Sequence, residues 1–146
     1  MKQQNRRYQV LITTAQLMLT LTIYYEAGNQ PTACKALVAD TVINRMAQRK
    51  LTAEQVIRQK NQFEWIPVLL KQEKPYKRYV KLIRDKNPMT KKAIGESERL
   101  AKRALKKNYV PLYSGTYFQS KSEGVPKWYA NPMYCGDLVF DNSSRE

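Results

Sequence analysis

From Val10 to Tyr25 the chain reads VLITTAQLMLTLTIYY, a mostly apolar run that stops on a carboxylate, Glu26, and then on Gly28-Asn29-Gln30-Pro31. Few structures accept that pattern. The run is shorter than the ~20 apolar residues a bilayer-spanning helix needs, and it carries Thr13, Thr14, Gln16, Thr20 and Thr22. The basic start MKQQNRR and the length of the run suit an export signal. No small-x-small cleavage site follows, however; Glu26 does. The better reading is a buried first helix, capped by Thr13 or Thr14, ending near Tyr25 or Ala27, with Leu17, Leu21 and Tyr24/Tyr25 facing inward. A releasable membrane-targeting segment is the alternative.

Gly28-Asn29 then offers a left-handed stop, and Pro31 suits the first turn of a second helix over Thr32 to Gln48. Leu37, Val38, Thr41, Val42, Arg45 and Met46 give that helix one packing face. Thr52-Ala53-Glu54-Gln55 is a capping box opening a short third helix through Arg58. KNQFEWIP has no periodicity and reads as an aromatic loop closed by Pro67. Pro75 begins another helix with Tyr76, Tyr79, Val80 and Ile83 inward, and Asn87-Pro88 breaks it. Thr90 to Lys107 is the longest helical pattern, with Ile94, Leu100/Ala101 and Ala104/Leu105 inward and lysines outward. Beyond Asn108, Pro111, Gly115, Gly124, Pro126, Pro132 and Gly136 punctuate short segments such as TYFQS and LVFDN. These suit a small hairpin or irregular β-structure. The expectation is one α+β domain, mainly α, over residues 1–146.

Chemistry is narrowed by what is missing. There is no histidine, which removes Ser-His and Cys-His nucleophiles and the commonest zinc ligand. Phosphate-loop, dinucleotide and zinc-protease motifs are absent too, so no cofactor and no metal is expected. Cys34 and Cys135 are too far apart for a redox C-x-x-C; they are either a disulfide or two buried thiols. Lys plus Arg number 26 against 12 Asp plus Glu, a net charge of +14. That balance raises the local concentration of polyanions, whether nucleic acid, an anionic membrane or a bacterial envelope.

Glu26 is the sharpest candidate. At a helix C-terminus the macrodipole disfavours its charged form, and neighbouring Tyr rings would desolvate it. A general acid working near neutral pH needs that environment, although an exposed Glu at a helix end has the same sequence. Asn29 and Gln30 could hold a substrate or cap the turn. Asn61-Gln62-Phe63-Glu64-Trp65 places amides beside rings, as a sugar-binding cleft does, or as a core-facing loop does. Tyr113, Tyr117, Phe118, Trp128, Tyr129 and Tyr134 suit carbohydrate, single-stranded nucleic acid or plain packing. The lysines of Thr90 to Lys107 read as a solvated helix face.

LTLTIYYEAGNQP, the helix ALVADTVINR, NQFEW, GTYFQ and a later Trp together resemble the SleB-type cell-wall hydrolase family, over about Leu17 to Phe140. The resemblance implies a lysozyme-like catalytic fold acting on peptidoglycan glycan strands, usually as a lytic transglycosylase. Glu26 matches the family's catalytic acid, which serves first as acid and then as base at the bond between N-acetylmuramic acid and N-acetylglucosamine. Gln62, Phe63, Tyr117, Phe118 and Trp128, with Asn29 and Gln30, would line the cleft. The family's second Glu is Gln30 here, its histidine after the tail Tyr-Phe is Gln119, and a late histidine falls near Asp137. Asp40, Glu64 and Asp137 are the candidates for a second carboxylate.

The implied partners are peptidoglycan and the anionic bacterial envelope, with no nucleic acid, and the protein is expected to work as a monomer. The implied place of action is the bacterial wall, from the periplasm or the exterior; a phage-encoded endolysin would be made in the host cytoplasm and released at lysis. Two other classes fit the charge. One is a basic nucleic-acid-binding protein using the lysine face and tail aromatics; the other is a wall-binding module without catalysis.

Overall fold

The structure, a computed structural model, describes residues 12–59 and 62–142, the side chain of Leu70 excepted. The basic MKQQNRR start and Asn61 lie outside the described residues. The first helix, α1 (Thr14–Ala27), is capped by Thr13, whose hydroxyl accepts from the Gln16 N–H while Gln16 reaches back to Thr13. It is more enclosed than its sequence implies. Met18, Leu19, Thr20, Leu21, Thr22 and Ile23 are all buried, because α1 runs between four other helices rather than lying on them. The Thr22 hydroxyl is accommodated there by donating to the Met18 carbonyl at 2.8 Å. Leu19, Leu21 and Ile23, each at 0% exposure, stabilise this arrangement by about 2 kcal/mol apiece. Among the described residues no helix is long and apolar enough to cross a membrane.

The expected left-handed stop is not used. Gly28 is helical (φ −56°) and continues the ladder to the Tyr24 carbonyl. The Gln30 N–H then bonds the Ala27 carbonyl and tightens the turn, and the fixed φ of Pro31 (−54°) makes it the cap of α2 (Thr32–Arg49) rather than its first residue. Two polar side chains tie α2 to its neighbours. Lys35 meets Glu96 at 2.9 Å, and Asp40 accepts from Tyr109 Oη and, at 2.8 Å, from the Leu112 N–H. The capping box at Thr52 forms and opens α3 (Ala53–Ile57).

The aromatic loop expected up to Pro67 instead gives its last three residues to a helix: α4 spans Trp65–Gln72. Pro67 falls in its first turn, where the amide hydrogen it lacks would have had no helical acceptor, so it does not end the helix. On α5 (Pro75–Arg84) the buried residues are Tyr79 and Leu82, whereas Ile83, expected inside, is 40% exposed. Asn87 accepts from the Met89 N–H and starts α6 (Pro88–Ala104) two residues ahead of Thr90. With 17 residues α6 is shorter than α2 with 18.

The tail forms a three-stranded antiparallel sheet. Strands β1 (Tyr117–Ser120), β2 (Pro132–Cys135) and β3 (Leu138–Asp141) lie in the order β1-β3-β2, with Phe118 opposite Phe140 and Cys135 opposite Leu138. Gly136 (φ 54°) takes the left-handed position of the two-residue β2–β3 turn. The sheet joins the helices in two ways. Phe140 sits between Tyr113 and Phe118 in the core, and a disulfide links Cys34 on α2 to Cys135 on β2, which decides between the two readings of the cysteines.

Candidate active site

Glu26 lies in the last turn of α1 and is half-buried. With Tyr25, Glu64, Trp65, Val68, Leu69, Gln72 and Arg78 it lines a cleft of about 410 Å³. Its walls are the end of α1, Glu64 with one face of α4, and one residue of α5. The Tyr25 ring stacks on Trp65, with centroids 5.4 Å apart and planes 21° apart. Trp65 is 7% exposed and Tyr25 37%, so Tyr25 presents the open ring of that pair.

The Glu26 carboxyl is pushed up to about 7. Burial is the main cause, followed by the negative charge of Glu64 and, more weakly, of Glu123; the Arg45 guanidinium acts in the opposite direction. The C-terminal end of the α1 dipole adds to the same side. A carboxyl of this kind is protonated about half the time at neutral pH, so it can give a proton and afterwards take one.

Arg45 organises the surroundings. Although 4% exposed, it donates from Nε to the Thr116 carbonyl at 2.6 Å. Its guanidinium lies over the rings of Phe63 (5.3 Å) and Tyr117 (5.7 Å). Arg45 on α2 thereby contacts both Phe63, ahead of α4, and Tyr117, the first residue of β1.

The sequence candidates separate on this frame. Of the three possible second carboxylates, Glu64 shares the cleft with Glu26. Asp40 is 0% exposed and engaged with Tyr109 and Leu112, and burial raises its pKa. Asp137 sits in the hairpin turn, where its N–H donates to Gln30 Oε1 at 2.8 Å and its Oδ2 accepts from Gln30 Nε2 at 3.1 Å. Gln30 thus has both ends of its amide committed to the hairpin. Asn29 is exposed; it accepts from Gln30 Nε2 at 3.1 Å and borders a separate depression with Tyr24, Tyr25 and Met89.

Phe63 is 3% exposed and faces Arg45 and Phe118, so it has almost no ring surface to offer a ligand. Gln62 is half-buried in the turn before α4. Tyr117 and Trp128 meet edge to face at 4.9 Å, with Trp128 46% exposed, and Phe118 stacks on Phe140 at 5.2 Å. Among the described residues no group of three or more Cys, Asp or Glu is placed to hold a metal ion.

Sequence reasoning did not reach Arg45, Arg78, Gln72 and Glu123 as parts of this site. Arg45 had been assigned to the packing face of its helix. Arg78 belongs to α5, and Gln72 to the part of α4 beyond Pro67, which carries no sequence signal of its own. Glu123 follows β1 in a single 3₁₀ turn (Lys121–Glu123). Only the folded chain brings them together.

A family profile described as Cell Wall Hydrolase matches residues 29–140, beginning just after Glu26. Among solved structures, the catalytic domain of the germination-specific lytic transglycosylase SleB from Bacillus anthracis is similar. The TM-score is 0.56 at 18% identity, over 90% of this chain and 97% of that one. At that identity the likeness speaks for the fold alone, and the fold is the α+β, mainly helical, lysozyme-like one. No curated protein matches the chain.

Proposed function

This chain belongs to the cell wall hydrolase family, whose substrate is peptidoglycan, and on that premise we propose that it cuts the glycan strand between N-acetylmuramic acid and N-acetylglucosamine with Glu26 as the only proton carrier. The observation that carries this reading is a half-buried carboxyl with a pKa of about 7 on the wall of a cleft. The protonated Glu26 gives its hydrogen to the glycosidic oxygen as the bond from that oxygen to the muramyl anomeric carbon breaks. The ionised Glu26 then takes the hydrogen of the muramyl 6-hydroxyl, whose oxygen closes onto the anomeric carbon as a 1,6-anhydro ring. One proton leaves the carboxyl and one returns to it.

The charges of Glu64 and Glu123, which add to burial in holding the proton on Glu26, also favour the positive charge that develops on the sugar as the bond breaks. Tyr25, with its ring open beside the acid, supports the apolar face of one sugar. Trp128 and Tyr117 serve as a further ring pair, and Phe63 and Phe118 stand behind them as support. Gln30 is reassigned from substrate contact to holding the hairpin. The net charge of +14 draws the protein to the anionic envelope, at the periplasmic or outer face of the wall where the substrate lies.

Digestion of purified sacculi with mass spectrometry of the released fragments tests the reading. Fragments with anhydro ends, lighter by one water than hydrolysed ones, are expected from the wild type and none from Glu26→Gln. Hydrolysed ends would mean that water, not the 6-hydroxyl, attacks. Release by a folded Glu26→Gln protein would remove Glu26 from the mechanism.

A further inference from the structure

We infer that the segment joining α6 to β1 docks on anionic lipid bilayers, by inserting Val110 and Leu112 between headgroups. The two side chains are 78% and 77% exposed. They are not at a loose end of the molecule. From Tyr109 to Tyr113 burial alternates: Tyr109 and Pro111 are half-buried, Tyr113 is buried, and Val110 and Leu112 point out between them. That is the alternation of an extended segment lying on a core, so the two aliphatic side chains share one face.

The inward side is anchored at every step. The Tyr109 hydroxyl and the Leu112 N–H both bond the buried Asp40 carboxylate. Tyr113 Oη bonds Thr41, and the Asn44 amide donates to the carbonyls of Tyr113 and Gly115 at 2.9 and 2.8 Å. The protein thus uses a buried carboxylate, which the proposed reaction does not employ, to hold two apolar side chains out in water.

The charge around the pair selects the partner. From Arg99 to Ser122 there is no Asp or Glu, while Arg99, Lys102, Arg103, Lys106, Lys107 and Lys121 are all cationic. Lys106 and Lys107 are exposed and stand at the start of the segment, just ahead of Tyr109. Lys102 is paired with Glu98, the Arg103 guanidinium lies over Tyr109 and Lys121 over Tyr134, so the cations of the run nearest Val110 that these contacts leave open are Lys106 and Lys107. A second copy of this chain would bring like charges together. A soluble polyanion would meet the lysines and leave the aliphatic pair wet. An anionic bilayer satisfies both, through headgroup phosphates for the lysines and the acyl boundary for Val110 and Leu112. The inference does not depend on the chemistry of Glu26.

Sedimentation of the full chain with vesicles of phosphatidylglycerol and phosphatidylethanolamine, against vesicles of phosphatidylcholine, tests it. Binding to the anionic vesicles only is expected. Val110→Ser/Leu112→Ser should weaken it at least about tenfold, the loss of two partly inserted aliphatic side chains. Lys106→Gln/Lys107→Gln should weaken it about thirtyfold, roughly fivefold for each charge near the surface. Both variants alter exposed positions and should release fragments from sacculi at the wild-type rate. The inference is overturned by equal binding to neutral vesicles, by a serine variant that binds as tightly as wild type, or by a wild-type dimer in light scattering that the serine variant abolishes.

Discussion

Holding the Glu26 carboxyl protonated near neutral pH has a cost in stability that can be measured separately from activity. In an unfolded chain the carboxyl titrates near its ordinary 4.5, and in the folded protein near 7. The native state therefore binds more protons between those values, and stability falls as pH rises through that window. At 1.36 kcal/mol per pH unit the full effect is about 3 kcal/mol, complete above pH 7 and absent below pH 4.5. Glu26→Gln replaces the carboxyl with a neutral group of the same shape. It should be as stable as wild type at pH 4 and more stable by up to about 3 kcal/mol at pH 8, a rise in Tm on the order of 8 °C for a chain of this size. Thermal melts of both proteins at the two pH values decide the matter. An equal gap at both, or a variant less stable at pH 8, would show that Glu26 is not kept neutral by its surroundings, and the acid assigned to the reaction would go with it.

Three further outcomes follow from the same geometry. In kcat/KM on solubilised glycan strands the alkaline limb should fall tenfold per pH unit above about 7, and Glu64→Gln should move that limb to lower pH, because the Glu64 charge raises the Glu26 pKa. Cys34→Ser/Cys135→Ser, which opens a crosslink across a sequence separation of 101, should cost about 4 kcal/mol in urea unfolding, and reduction of the wild type should match it. Gln30→Glu brings a carboxylate against Asp137 Oδ2, where Gln30 Nε2 now donates at 3.1 Å. It should destabilise by about 1 kcal/mol at pH 7, with the difference narrowing on acidification.

That last contact also shows what could be read in advance. Gln30 and the neighbourhood of Asp137 were two separate departures from the family pattern, and they meet in space. Capping carried three of the six helix starts described, since Thr13, Thr52 and Asn87 each do locally what their type and spacing imply. The exceptions were set by partners far along the chain. The α1 pattern reads as one-sided because threonines interrupt it, yet helices surround it; Pro67 reads as a stop but lies where a proline costs nothing. The acid was legible because its helix end, its tyrosines and its breaker are consecutive. Its field was not, since Arg45, Glu64 and Glu123 belong to three other segments and act on it only through space.

Because the middle of α1 is buried among four helices and Glu26 stands in its final turn, the carboxyl proposed as the acid is aimed by the interior of the protein and not by a movable loop. A trimmed methyl group at Leu21 or Ile23 would let the whole rod shift slightly, and that displacement arrives undiminished at its tip. Drift in such a lineage should be felt as slower turnover well before it is felt as a chain that fails to fold.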